Sequence, residues 1–157
     1  RLDVEGSDKR YNFALLAADP ACPRLAVAES PIDALSLATL VKLSGGDWRD
    51  SHYLSLGGTA PRAMLQFLRD HPHVTQISLC LDNDKAGVLG MDRLEQALRE
   101  DPGLSQRVTL IYRNPPPVEH GKDYNEFLCA HIWAEREREK TNYERERKYL
   151  KIQESYI

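Results

Sequence analysis

The residues best placed to do chemistry are acids that follow short apolar runs. Glu29 comes after Leu25-Ala-Val-Ala28, Asp82 and Asp84 come after Ile77-Ser-Leu-Cys-Leu81, and Asp123 ends the stretch that begins at Asn114. On an extended strand end, spacing of two residues aims Asp82 and Asp84 to one side. Such a pair makes a metal clamp. Magnesium is held by one or two carboxylates with water and substrate phosphate, so the pair beside a third acid suits phosphoryl transfer. Lys122, Lys85, Arg62 and Arg113 stand beside the same acids and offer cations to phosphate oxygens. The Gly57-Gly58 step lets backbone come close to a ligand, or simply makes a strand-to-helix turn. The acids have plain readings too. Asp84 and Asp123 read equally as helix N-caps, Asp33 and Glu126 as capping-box partners, and Glu29 as a solvated strand end. The five histidines have no metal-ligand spacing.

Four β-rich runs must carry these residues: Leu25 to Ala28, His52 to Leu56, Val74 to Leu81 and Val108 to Tyr112. Helical patterns follow. Ser30-Pro31-Ile32-Asp33 reads as a capped start, and its helix runs to Gly45-Gly46; a second spans about 60–69 and a third about 85–99. Gly87 and Gly90 inside the third helix imply close packing on the sheet or access for a phosphate. Asp101-Pro102-Gly103 stops that helix, Asn114-Pro115-Pro116-Pro117 makes a stiff loop, and Asp123 opens a last helix burying Phe127, Leu128 and Ile132. From Trp133 the composition turns to Glu-Arg repeats, a solvated helix or a disordered tail. Alternating strands and helices imply an α/β fold with about four mainly parallel strands, where ligands gather at the carboxyl ends of the strands.

The chain has 157 residues, room for one core. Its net charge of -3 means that nucleic acid is not held by a general positive field, so such contact must be local or metal-assisted. Three scattered cysteines argue against a disulfide scaffold or a zinc site and point to a reducing, cytoplasmic setting. No apolar run is long enough to span a bilayer, so no membrane contact is expected. The first residue is Arg1, not Met, which suggests a piece of a longer polypeptide. The expected division is a lead-in at 1–23, a catalytic unit at 24–132 and a charged tail at 133–157.

Taken in order, Glu29-Ser-Pro-Ile-Asp-Ala-Leu35, Ser55-Leu-Gly-Gly58-Thr, Leu81-Asp-Asn-Asp84-Lys-Ala-Gly87 and Gly121-Lys-Asp-Tyr-Asn-Glu126 resemble the ordered motifs of a Toprim domain. That Rossmann-like catalytic fold is shared by DnaG-type primases, type IA and type II topoisomerases and OLD-family nucleases. The resemblance covers about 24–128, and the last motif is most similar to primases of phages and mobile elements. Many Toprim glutamates are followed by glycine, whereas Ser30-Pro31 stands here. The resemblance implies that Glu29 is the general acid or base and that Asp82, Asp84 and Asp123 form the metal site. It further implies that Lys122, with Lys85, Arg62, Gly57 and Gly58, meets phosphates. Magnesium would be the cofactor, with manganese able to substitute. Single-stranded DNA and nucleotides would be the partners, together with a helicase or relaxase elsewhere. The implied function is primase-like nucleotidyl transfer in replication or mobile-element transfer. An OLD-like nuclease, a topoisomerase-related unit and a non-catalytic DNA-processing module are the alternatives.

Overall fold

In a computed structural model, which describes residues 6–154, the strands form one five-stranded sheet. Residues 1–5 of the lead-in and 155–157 of the tail lie outside the described residues. The strands are β1 (Ala14–Leu15), β2 (Arg24–Ala28), β3 (His52–Ser55), β4 (Gln76–Leu79) and β5 (Leu110–Arg113). The helices are α1 (Pro31–Leu43), α2 (Arg62–Asp70), α3 (Lys85–Arg99), α4 (Pro102–Arg107) and α5 (Tyr124–Glu154). The sheet runs in the order β1-β3-β2-β4-β5, parallel throughout except for β1, which pairs antiparallel with β3.

Alternation along β2 builds two cores. Leu25 and Val27 join Leu54, Ile77, Leu79, Met64, Leu68, Leu94 and Leu98 on the face covered by α2 and α3. Ala26 and Ala28 face Ala34, Leu37, Ala38, Tyr53 and Tyr124, the side of α1 and α5. Small residues in β2 and α1 let that helix lie close to the sheet. After β2 the chain goes first to β3 on one side and then crosses to β4 on the other, and α1 and α3 lie on opposite faces. The carboxyl ends of β2 and β4 therefore flank the switch point, where open α/β sheets leave a crevice.

The four expected strands and four expected helices are all present, with α3 at its expected bounds and the other ends the same or shifted by one or two residues. Among the described residues one strand and one α-helix are additional, with short 3-10 turns at Trp48–Asp50 and Val118–His120. Strand β1, only two residues long, is too short for an alternation pattern to register. Helix α4 forms where only a stop was expected, because the Asp101 side chain accepts from Leu104 N at 3.1 Å and caps a new helix that begins with Pro102. The charged tail is helix, continuous with α5, and its residues from Trp133 to Arg147 are all exposed. No helix of the described residues is long and apolar enough to cross a membrane.

Candidate active site

Glu29 is the first residue past β2, and Asp82 lies just past β4. The two are joined directly, Asp82 N–H donating to Glu29 Oε1 at 3.3 Å. Backbone bonds fix both positions: Gly58 N donates to Glu29 O at 3.0 Å, and Cys80 N to Val27 O at 2.7 Å. From the far side Lys122 Nζ stands 3.4 Å from Asp82 Oδ2 and 3.9 Å from Asp123 Oδ2. Glu29, Asp82, Asp123 and Lys122, distant in sequence, thus converge at one sheet edge.

Their environment changes their acidity. Burial pushes the Glu29 carboxyl above the usual carboxylate range, and the charge of Asp82 adds to it, with smaller contributions from Asp84 and Asp33. Asp82 is likewise pushed up by burial, against the pull of Lys122. The Asp82 charge in turn holds the Lys122 ammonium more firmly protonated. A carboxyl raised on folding binds protons better in the native state than in the unfolded one. Stability then falls as pH climbs from the ordinary Glu value of about 4.3 through the raised native one. Without metal, Glu29→Gln should therefore melt above wild type at pH 8, the gap closing near pH 4. Thermal melts across that range check this, and a gap independent of pH would contradict it.

The plain readings also hold, in part. Asp84 is the α3 N-cap, its Oδ1 accepting from Ala86 N and Gly87 N, each at 2.9 Å. Both bonds fall on one oxygen of an exposed side chain, leaving Oδ2 available. Asp123 caps α5 by accepting from Glu126 N at 2.8 Å, and Glu126 accepts from Lys122 N at 2.7 Å.

Asp33 goes beyond the expected capping box. It is buried, accepts from Ser30 Oγ at 2.5 Å, and takes Asn125 N at 3.3 Å, tying the start of α1 to the start of α5. Asn83, between the two aspartates, was not singled out by the sequence. Its Nδ2 donates to Pro116 O at 2.9 Å and Gly121 O at 2.7 Å, while its N donates to Lys122 O at 2.9 Å. These bonds pin the loop that delivers Lys122 and Asp123. Replacing Asn83 by Ala removes two of them and should cost about 1–3 kcal/mol, with the loop loosened. Chemical denaturation and amide exchange at Lys122 check this; a variant as stable and as protected as wild type would contradict it.

Among the phosphate-facing candidates, Gly57, Gly58 and Arg62 line one cavity of about 380 Å³, together with Leu56 and Ala60. Lys9 and Asn12, from the lead-in, complete its wall. The glycines are required here: Gly57 has φ 67° and Gly58 φ 146°, and a Cβ on Gly57 would stand 2.4 Å from Asn12 Nδ2. Gly58 also bonds the backbone carbonyl of Glu29, so the cavity wall is tied to the end of β2. Lys85 stands apart from this group, exposed at the first position of α3 and in no hydrogen bond or ion pair with the acids.

Among the described residues no three His, Cys, Asp or Glu side chains form a ready-made metal cage. The donors present are oxygens alone, partly exposed, with a lysine cation already drawn to Asp82. That set fits magnesium or manganese, which accept few protein carboxylates and complete their shell with water and phosphate, better than it fits zinc. Asp82 and Asp84 would be the residues to hold the ion, with Asp123 a further acid beside Lys122.

Comparison with known proteins agrees with this arrangement. A family model described as Toprim-like matches residues 26–128. An uncharacterized protein of Bacillus anthracis is 35% identical over 97 residues, covering 57% of this chain and 26% of that protein. The chain thus spans about a quarter of that relative's length. No solved structure matches it. With two thirds of its length matched and the acids at the switch point of a mainly parallel sheet, this chain belongs to the Toprim-like family, whose domains process nucleic acid.

Proposed function

We propose that this chain carries out magnesium-dependent nucleotidyl transfer of the primase-like kind, on a single-stranded DNA template, in replication or mobile-element transfer. The observation that carries the reading is the cationic cavity at the glycine turn, whose wall is bonded to the Glu29 backbone. Cleavage of a strand needs only the carboxylates and one phosphate. Synthesis must also hold the phosphate tail of an incoming nucleotide, and a cavity of about 380 Å³ walled by Lys9, Asn12, Arg62 and two glycine backbones suits such a tail.

Glu29 accepts the proton of the attacking 3′-hydroxyl, its carboxyl tuned upward by burial. The new bond joins that oxygen to the α-phosphorus as the bond to pyrophosphate breaks. Asp82 and Asp84 hold the metal, which when bound neutralises charge growing on the phosphoryl oxygens. Lys122 lies between Asp82 and Asp123 and shifts toward substrate phosphate when Asp82 is engaged. The test is incorporation of labelled nucleotide on single-stranded DNA with magnesium. Extension that needs nucleotide supports the proposal; a labelled strand shortened without nucleotide would assign the site to a nuclease instead.

A further inference from the structure

Helix α5 begins at the candidate site, capped by Asp123, and its far part is outside the family match. Its packing side is set by Tyr124, Phe127 and His131, which lie with Leu37, Leu40 and Pro117 at one groove. Past that contact, Trp133, Arg136, Lys140, Tyr143 and Arg147 recur at steps of three, four, three and four residues. At 100° per residue these five share one narrow stripe, turned well away from the packing side. All five are exposed, the two aromatics strongly so, at 65% for Trp133 and 61% for Tyr143. Arg147 lies over the Tyr143 ring at 6.0 Å.

Such spacing on a core helix would carry apolar side chains. Here the stripe positions hold two aromatics and three cations and no acid, and of the five glutamates in the same segment Glu137, Glu139 and Glu144 flank it three or four residues from its cations. A second copy meeting this stripe in a coiled coil would set cation against cation, which disfavours that occupant. Cations interleaved with exposed aromatic rings instead complement a single nucleic-acid strand, whose phosphates meet the cations while unpaired bases stack on the rings. We infer that this stripe of α5 is a single-stranded nucleic-acid contact, without base specificity, that leads the strand to or from the sheet edge. The aromatics stand about 15 Å apart along the helix, and the stripe extends to about 36 Å from Asp123. The inference rests on the reading that the substrate is nucleic acid, but not on which reaction occurs.

Glu144 neighbours both Lys140 and Arg147 at four and three residues and partly neutralises them, which predicts weak, micromolar binding. In the full chain carrying Trp48→Phe, only Trp133 reports by tryptophan fluorescence. Titration with an oligothymidylate at low salt and without metal should quench it saturably. Arg136→Gln/Lys140→Gln/Arg147→Gln should weaken binding at least tenfold and flatten its dependence on log salt by about two. Tyr143→Ala should weaken it about threefold or more. Glu144→Gln should tighten it about twofold, a gain that a folding defect cannot imitate.

Asp82→Ala, in the same titration, separates the two readings: quenching retained with chemistry lost places the strand contact on α5 and the reaction at the acids. Equal affinity in the triple variant and wild type would overturn the inference. Absence of quenching, or equal quenching by polyglutamate, would overturn it too, leaving the incorporation assay to decide the proposed reaction.

Discussion

A Glu29→Gln variant should retain its fold and lose phosphoryl transfer by roughly 10²- to 10⁴-fold, the range spanned by a positioned proton-transfer group. The amide keeps an oxygen to accept the Asp82 N–H, so the 3.3 Å link between the two strand ends survives. What disappears is the ability to take a proton. Because burial makes the carboxylate costly in the folded chain, the same change should stabilise the metal-free protein at pH 8. Lost turnover with gained stability is the signature of a functional group held in an unfavourable place. Single-turnover rates with melts on the same preparation would show it. A variant that keeps its rate would remove Glu29 from the chemistry.

The second large effect is expected at Gly87, far less conspicuous than the acids. A Cβ there would lie 2.0 Å from Asp82 O and 2.8 Å from Asp82 C, both backbone atoms. Neither can swing aside as a flexible side-chain end would. Gly87→Ala must therefore lift the first turn of α3 or displace Asp82, and with it the cap made by Asp84. Overpacking of this kind costs about 1–3 kcal/mol, and a contact this short belongs at the upper end. Activity should fall with stability, because the displaced atoms belong to the candidate metal ligand. Ala86→Gly, one residue earlier and exposed, provides the control: it should cost no more than about 1 kcal/mol by helix propensity and leave the reaction in place. Equal stability and activity for Gly87→Ala and wild type would show that the close approach is not needed.

The sheet and its helices were largely legible because apolar alternation, proline and glycine stops and capping residues are local signals. Position at strand ends also pointed to Glu29 and Asp82, which the structure brings together through a hydrogen bond across 53 residues of sequence. Partners supplied from afar were not legible. Asp33 looks sufficient as a capping residue beside Ser30, yet one of its oxygens is committed to Asn125, 92 residues away. Asn83 looks like a spacer between two aspartates, but its amide matters only once the polyproline loop folds back onto it. Lys9 and Asn12 lie in a lead-in with no strand pattern; they reach the glycine turn because β1 pairs with β3. Gly87 suggests from sequence either close packing or access for a phosphate, and the structure packs it against the Asp82 backbone. Asp84 and Asp123 are helix caps in the structure, and each cap uses one carboxylate oxygen, which leaves the other for the ligand role proposed for them.

In the proposed reaction a divalent cation binds this edge of carboxylates before any bond changes. A manganese titration read by water-proton relaxation, comparing the chain with its Asp82→Ala variant at equal concentration, tests it without assuming synthesis or cleavage. Saturable enhancement is expected in the wild type and its loss in the variant, with the melting curve unchanged enough to show a folded protein. Enhancement of equal size in both proteins, or none in the wild type at millimolar manganese, would contradict it.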